Sequence, residues 1–520
     1  MGFIEKTISG IVLIGALSIA VGCVKLPDNF ERSTSFALSA DDDSPLGTTV
    51  SRVLDSAPDD SAYLLLGGGL DALVARMALA RAAEKSIDTQ YYLLHDDEVG
   101  GLFIRELLDA ADRGVRVRLL VDDMDMGGRD FGAALLDSHP NVEVRLFNPF
   151  SRESGRVVQF ITGFGEQTRR AHNKSFTADS IATIIGGRNI GNEYFVADPD
   201  TAFIDLDVLA VGPAAELVAG SFDIYWNHEL SYPAALFLDA PITADEHDER
   251  LAAFIDSVEA QKDSEYVREL QDSKLAQALD SYELELIRGR SLVFWDHPGK
   301  LLNYDDDSGY LMRDLRPYLD ETLSELFIMS PYFVPGRAGV EFFRELRDRG
   351  VRVVVLTNSL ASTDVSIVHA GYANYRKQLL ELGVELYELN RELKGGDEEK
   401  EWTFYHSKAS LHAKCFVIDR QKTFIGSLNL DPRSVVQNTE IGMIIESTEI
   451  GETIASSIED KLDRLAFRLE LREAPDGLDF LVWHGLVDGE HREFRTEPYT
   501  GFSKRFLVGL MRLLPVESQL

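Results

Sequence analysis

The hexapeptide Asp112-Arg113-Gly114-Val115-Arg116-Val117 recurs unchanged as Asp348-Arg349-Gly350-Val351-Arg352-Val353, 236 positions later. A repeat at that distance restricts the chain to an architecture that can be built twice. The surroundings repeat as well. An apolar stretch with helical spacing precedes each copy (102–111 and 340–346), and a β-rich run passes through it (VRVRLLVDD and VRVVVLTNS). Each copy therefore reads as helix, glycine stop and strand. Asn141-Val142-Glu143-Val144 and Gly383-Val384-Glu385-Leu386 add a further strand to each, with the valines 242 positions apart. Such alternation predicts an α/β protein of two duplicated halves, each a central sheet covered by helices. The expected limits are 61–235 and 316–470. Residues 236–315, rich in Ala, Glu, Asp and Leu with helical spacing, read as a helical linker or insertion, and 471–520 as a C-terminal tail.

A second pattern sits inside this frame. His172-Asn173-Lys174 with Asp179 has the form H-x-K-x4-D, and His412-Ala413-Lys414 with Asp419 repeats it 240 positions on. On a strand, a period of two puts each imidazole beside its ammonium group, which suits a phosphate. Asn189 and Asn429 each follow their histidine by 17 residues and carry amides that can donate to the same phosphate. One such motif means little, but two in matched frames point to chemistry.

Paired H-x-K-x4-D motifs with a trailing Gly-Ser-x-Asn element resemble the signature of the phospholipase D superfamily over about residues 61–470. Further stretches resemble the bacterial C-type cardiolipin synthases, which are phosphatidyltransferases: Gln90-Tyr91-Tyr92, Arg145-Leu146-Phe147-Asn148-Pro149-Phe150, Gly186-Gly187-Arg188-Asn189-Ile190-Gly191, Ser330-Pro331-Tyr332-Phe333-Val334-Pro335, Asn429-Leu430-Asp431-Pro432-Arg433-Ser434 and Asn438-Thr439-Glu440. The resemblance implies two phospholipase D-like halves with the active site at a pseudo-twofold interface. It implies a catalytic set of His172, Lys174, Asp179, His412, Lys414 and Asp419, in which the two aspartates are expected to serve structure more than chemistry.

Phosphodiester exchange needs a nucleophile, an acid for the leaving alkoxide and cations for the charge on the phosphoryl oxygens. By resemblance, His172 attacks phosphorus to give a phosphohistidine. His412 protonates the leaving alcohol and later takes the proton of the acceptor, although the symmetry of the sequence does not say which histidine does which. Lys174, Lys414, Asn189, Asn429 and Ser427 are the expected phosphate ligands. Asp205 and Glu440, 33 and 28 residues after the histidine of their own half, match the carboxylates that orient the imidazoles. Gly187 departs from the pattern, standing where the second half has Ser427, and the neighbouring Arg188 is a candidate to make up the contact. The scheme needs neither metal nor cofactor.

The implied reaction is cleavage of a phospholipid and transfer of its phosphatidyl group to phosphatidylglycerol, with phosphatidylglycerol or phosphatidylethanolamine as donor. A hydrolytic phospholipase D or phosphodiesterase would use the same residues with water as acceptor, and a non-catalytic lipid-binding lipoprotein is the reading from another class. Charge weighs against nucleic acid: 52 Lys and Arg stand against 87 Asp and Glu, a net charge of −35, which repels polyanions. Anionic membranes are repelled too, so binding at a membrane surface argues for a salty habitat or for an anchor.

The N-terminus offers one. Residues 7–22 form a chargeless run of 16 after Lys6, short for a membrane span and suited to a signal-peptide core. Ala20-Val21-Gly22-Cys23 resembles the cleavage box of bacterial lipoproteins, so residues 1–23 read as a leader with Cys23 as lipidation site, and 24–60 as a tether. A lipid-anchored, periplasm-facing location at a bacterial membrane follows. Asp122-Asp123-Met124-Asp125 is expected to be solvated rather than a metal site, Cys415 to sit in the core, and His369 either to line the cleft or to pack. The stretch 501–515 mixes apolar and basic residues and suits either a bilayer interface or the protein's own surface.

Overall fold

The computed structural model describes residues 26–513, apart from 31, 56, 58, 154, 157–158, 160–166, 199–201, 239, 282–283, 303–308, 393–408 and 488. Cys23 and the leader lie outside the described residues.

In the first half, strands Ser86–Tyr91, Arg116–Asp122 and Val142–Phe147 run parallel. From the other edge of Ser86–Tyr91 the sheet continues antiparallel through Ser175–Ala178, Ala182–Gly186, Asp207–Val211 and Ser61–Leu66. The second half repeats this order. Its parallel strands are Glu325–Met329, Arg352–Asn358 and Glu385–Leu389. Its antiparallel continuation is Cys415–Ile418, Lys422–Gly426, Ile441–Glu446 and Ile287–Trp295. All but the first residue of Arg116–Asp122 and of Arg352–Asn358 are buried, as strands covered on both faces must be.

Helices Gly69–Ala82 and Glu98–Asp112 cover one face of the first sheet and Pro213–Trp226 the other. Their counterparts are Leu311–Asp320, Gly336–Asp348 and Thr448–Leu465. The repeated Asp-Arg-Gly ends a helix in both halves: Gly114 and Gly350 have φ of 95° and 83°, a conformation that costs glycine little and other residues more.

The sheet crosses from one half to the other. Ile287–Trp295 pairs through its first residues with Ser61–Leu66 and through the rest with Ile441–Glu446, giving one continuous 18-stranded sheet. A core shared by both halves lies beneath the junction, with Tyr63, Ile185 and Val208 of the first half against Cys415, Ile425 and Met443 of the second.

Three segments differ from expectation. Residues 236–315 do contain helices (Ala244–Glu259, Glu265–Gln271, Lys274–Ser281), but also this joining strand. The stretch 24–60 is docked where it is described: Arg118 donates to the Ser35 carbonyl at 3.0 Å, Asn29 to that of Ser231 at 2.9 Å, and Ala37 N to Asp223 at 2.8 Å. Helix Pro45–Leu54 then buries Val50 and Leu54. Beyond 471, strands Asp479–Val487 and Glu490–Phe494 extend the second sheet before a final helix, Phe502–Met511.

Candidate active site

His172 and Lys174 lie in an extended segment just before strand Ser175–Ala178, and His412 and Lys414 between strands Ala409–Leu411 and Cys415–Ile418. Each segment is fixed by the opposite half. His172 N donates to the Thr439 carbonyl at 2.8 Å and Thr439 N to that of Arg170 at 3.0 Å. Ala409–Leu411 runs parallel to Ala202–Ile204, and His412 N donates to the Ile204 carbonyl at 2.7 Å. The residues following Ile204 and Thr439 are Asp205 and Glu440, so each carboxylate arrives at the histidine of the other half. His172 Nδ1 is 2.8 Å from Glu440 Oε2, and His412 Nδ1 is 2.6 Å from Asp205 Oδ2. The pairing is crossed between the halves, dictated by the backbone clamps that join them. The Nε2 of each ring, which faces no carboxylate, is the atom left for chemistry.

Lys174 and Lys414 each donate to the carbonyl of the histidine two residues before, at 2.6 Å. Lys414 Nζ also lies 3.1 Å from both His412 ring nitrogens. Both lysines are at most 1% exposed. Burial pushes both ammonium groups down, Lys414 to about 8. An anionic group entering between them would repay that desolvation.

Burial, then Lys174 and Lys414, drive His172 well below the ordinary imidazole range. Burial raises its partner Glu440 to about 7. Burial and Lys414 also lower His412, but Asp205 opposes them. Burial pushes Asp205 up, and His412 with Lys414 outweighs it, leaving that carboxyl low. The two pairs, alike in geometry, thus differ in charge: Asp205 is held ionised and Glu440 is raised, and both rings are lowered, His172 the further.

The remaining expected residues divide. Asn189 Nδ2 donates to the Tyr194 hydroxyl at 3.0 Å and its Oδ1 accepts from Leu93 N at 3.2 Å. Asn429 is 3% exposed and its Oδ1 has no partner. Ser427 is corrected from phosphate ligand to scaffold: its hydroxyl donates to the Ile441 carbonyl at 3.2 Å and accepts from Ile441 N at 3.0 Å. Gly187 has a steric cause. A Cβ there would lie 2.1 Å from Asp205 Oδ1, so the carboxylate occupies the space of a side chain. Arg188 does not make up the contact; its buried guanidinium donates to the carbonyls of Leu66 at 2.8 Å, Gly67 at 2.6 Å and Asp205 at 2.9 Å.

Asp179 and Asp419 stand outside the site. Asp179 accepts from the backbone N of Glu84, Lys85 and Ser86 at 2.8–2.9 Å. Asp419 accepts from those of Leu323, Ser324 and Glu325 at 2.7–2.9 Å. Each pins the start of the neighbouring strand from a turn with φ 52°. Asp122 and Asp123 are not solvated but buried in ion pairs with Arg170 (2.6 Å), Arg152 (2.6 Å) and Arg156 (2.9 Å). His369 is buried against Arg376 at 2.5 Å and Glu497 at 3.4 Å. His95, Asp97 and Glu193 bring ligand-type atoms within 4.8 Å of one another. Asp97 there is engaged by the backbone N of Gly100 and Asn192, at 2.9 and 2.8 Å.

Aromatic walls complete the site. Tyr92 stands edge-on to His172 with centroids 5.0 Å apart and takes Lys174 Nζ at 5.5 Å from its ring. Tyr194 and Phe203 pack on His412 at 5.2 and 5.1 Å. Tyr332 donates to Asp364 Oδ2 at 2.7 Å. Tyr92 and Tyr332 are 240 positions apart, the spacing of the histidines, and that register was the signal by which they could have been singled out as site residues.

The chain matches the family model described as "Cardiolipin synthase, PLD-like domain" twice, over residues 77–226 and 315–465. It is 40% identical over 474 residues to cardiolipin synthase C of Escherichia coli (strain K12), covering 91% of this chain and 99% of that one. To cardiolipin synthase A of Pseudomonas fluorescens (strain Pf-5) it is 25% identical over 388 residues, covering 74% and 64%. The crystal structure of phosphatidylserine synthase from Haemophilus influenzae Rd KW20 shares the fold, with a TM-score of 0.52 at 14% identity over 81% of this chain and 91% of that one. With both halves matched in register with the duplicated site, the chain belongs to the cardiolipin synthase family of phospholipase D-like phosphatidyltransferases.

Proposed function

We propose that the chain transfers the phosphatidyl group of one phospholipid to the hydroxyl of phosphatidylglycerol, forming cardiolipin, with His172 as the covalent carrier. The observation that carries this is the crossed pair of imidazoles, each held by a carboxylate of the other half, with two buried lysines beside them. His172 Nε2 attacks phosphorus, the bond to the leaving headgroup oxygen breaks, and His412 gives that oxygen its proton. The acceptor hydroxyl then loses its proton to His412 and attacks the phosphohistidine, freeing His172. Lys174, Lys414 and Asn429 hold the nonbridging oxygens. The division of labour rests on the charge difference between the pairs: a nucleophile must be neutral, and an acid is best held by a carboxylate that stays ionised.

The donor is phosphatidylglycerol or phosphatidylethanolamine. Hydrolysis by the same residues differs only in whether water reaches the phosphohistidine.

Delivery to a membrane is part of the proposal. Helix Phe502–Met511 docks through Val508 and Met511 on Leu360 and Ala370. It leaves Phe502, Phe506, Leu507 and Leu510 between 48% and 76% exposed, beside Lys504, Arg505 and Arg512. An apolar face rimmed by basic residues on a chain of charge −35 fits an anionic bilayer interface. A lipid on Cys23, with the protein facing the periplasm, would supply the second anchor.

Purified protein in mixed micelles of phosphatidylglycerol, with and without phosphatidylethanolamine, should yield cardiolipin by mass spectrometry, and His172→Ala or His412→Ala should abolish it. Phosphatidic acid as the sole product would make the protein a hydrolase.

A further inference from the structure

The duplication lets each half serve as a control for the other. In the first half, helices Gly69–Ala82 and Glu98–Asp112 pack together beneath the insertion helices Ala244–Glu259, Glu265–Gln271 and Lys274–Ser281. Val258, Tyr266, Leu270 and Leu275 enter that half's core, and the Tyr266 hydroxyl donates to the Phe195 carbonyl at 3.0 Å. The second half has no such insertion among the described residues. Between Leu311–Asp320 and Gly336–Asp348 there is instead a cavity of about 270 Å³, floored by Leu326, Ile328 and Phe416 and walled by Phe333, Phe342 and Leu430.

The chemistry of the walls narrows the occupant. The lining carries only two ionisable side chains, and both are engaged. Arg316 pairs with Asp320 at 2.6 Å, and Asp431 Oδ1 caps the helix Pro432–Val436 by accepting from Ser434 N at 2.9 Å. Nothing is left over to recognise a polar ligand, and an apolar void favours an apolar guest. Position narrows it further. Leu430 and Asp431 directly follow the phosphate-site residue Asn429, and Phe333, which follows Tyr332, bridges to Leu430 in parallel pairing. Phe416 of the cavity floor lies on strand Cys415–Ile418, which begins at the residue after Lys414, so the floor runs directly from the catalytic segment.

We propose that this cavity holds one acyl chain of the phospholipid whose phosphate sits between His172 and His412. The inference rests on the phosphatidyl-transfer reading. It adds that the second half grips the hydrophobic part of the lipid where the first half is closed by its own insertion.

Vesicles of phosphatidylglycerol carrying a photoactivatable diazirine in one acyl chain would be irradiated with the full-length protein, and the adducts mapped by mass spectrometry. Adducts are expected on 312–343, on Phe416 and on 430–435. Ala338→Trp, at the exposed rim of the cavity, should deplete them. The same variant should raise KM for a long-chain donor roughly ten-fold, because each buried methylene is worth a several-fold change in affinity, and leave kcat/KM unchanged for a dihexanoyl donor. Adducts confined to other segments, or equal effects of Ala338→Trp on long and short donors, would overturn the proposal. Crosslinking needs no turnover: adducts here without cardiolipin formation would sink the transfer reading alone, and cardiolipin formation without them the acyl site alone.

Discussion

At the scale of single residues the site is asymmetric inside a symmetric frame, and its pH dependence should report that. Capture of a phosphodiester requires His172 neutral and Lys414 charged. Burial and the two lysines lower the His172 pKa, so the acid limb of kcat/KM should fall below pH 6.5, the ordinary imidazole value. Burial lowers Lys414 to about 8, so the affinity for an unreactive phosphodiester, which needs the ammonium but not the acid, should decline near that pH as the ammonium loses its proton. Lys414→Arg, whose guanidinium stays charged, should show a lower plateau with the alkaline limb moved upward; a limb unmoved in this variant would assign it to another group. Gly187 tests the steric reading. Gly187→Ser restores the residue type of the second half but puts a Cβ where Asp205 Oδ1 stands. It should displace Asp205 from His412 and lower kcat by about 10²-fold, the usual scale of a general-acid contribution, with circular dichroism unchanged.

At the scale of elements, the two aspartates that complete the motif act as staples between strands. Asp179→Ala removes an acceptor from three backbone N–H groups and should cost about 2–4 kcal/mol of stability. The variant should melt earlier while the folded fraction keeps its kcat; a loss of kcat at full folding would return Asp179 to the chemistry. The same elements show what was legible in the sequence. Helix Glu98–Asp112 and strand Arg116–Asp122 follow from apolar period and the glycine stop, and so do their duplicates. The strand Ile287–Trp295 was lost in a stretch whose overall composition is helical, because its half-exposed residues carry no clean alternation. The docking of 26–40 was hidden for another reason. It rests on single bonds such as Arg118 to Ser35 and Ala37 to Asp223, which leave no periodic trace. Within the site, residue types and spacing gave both histidines, and the resemblance to the family both carboxylates. Which carboxylate faces which histidine depends on the parallel pairing of Ala409–Leu411 with Ala202–Ile204, a contact across 207 positions that no local pattern encodes.

At the scale of the whole molecule, one sheet and one shared core bind the halves into a single catalytic unit, and neither half alone contains a complete histidine–carboxylate pair. The same scale carries the membrane problem. Phe502→Ser with Phe506→Ser should weaken binding to phosphatidylglycerol vesicles at least ten-fold, since each exposed ring contributes about 1.5–3 kcal/mol on burial. Activity on a soluble short-chain donor should be unaffected, and unchanged vesicle binding in a co-sedimentation assay would remove the helix from the interface. No described helix is long and apolar enough to cross a membrane. The measurement that bears most directly on the mechanism is a rapid alkaline quench of the wild-type protein during turnover, followed by digestion and mass spectrometry of the two histidine peptides. A phosphatidyl adduct on His172 that appears before cardiolipin and decays as the donor is exhausted is the predicted result; an adduct on His412, or none while cardiolipin accumulates, would contradict the mechanism.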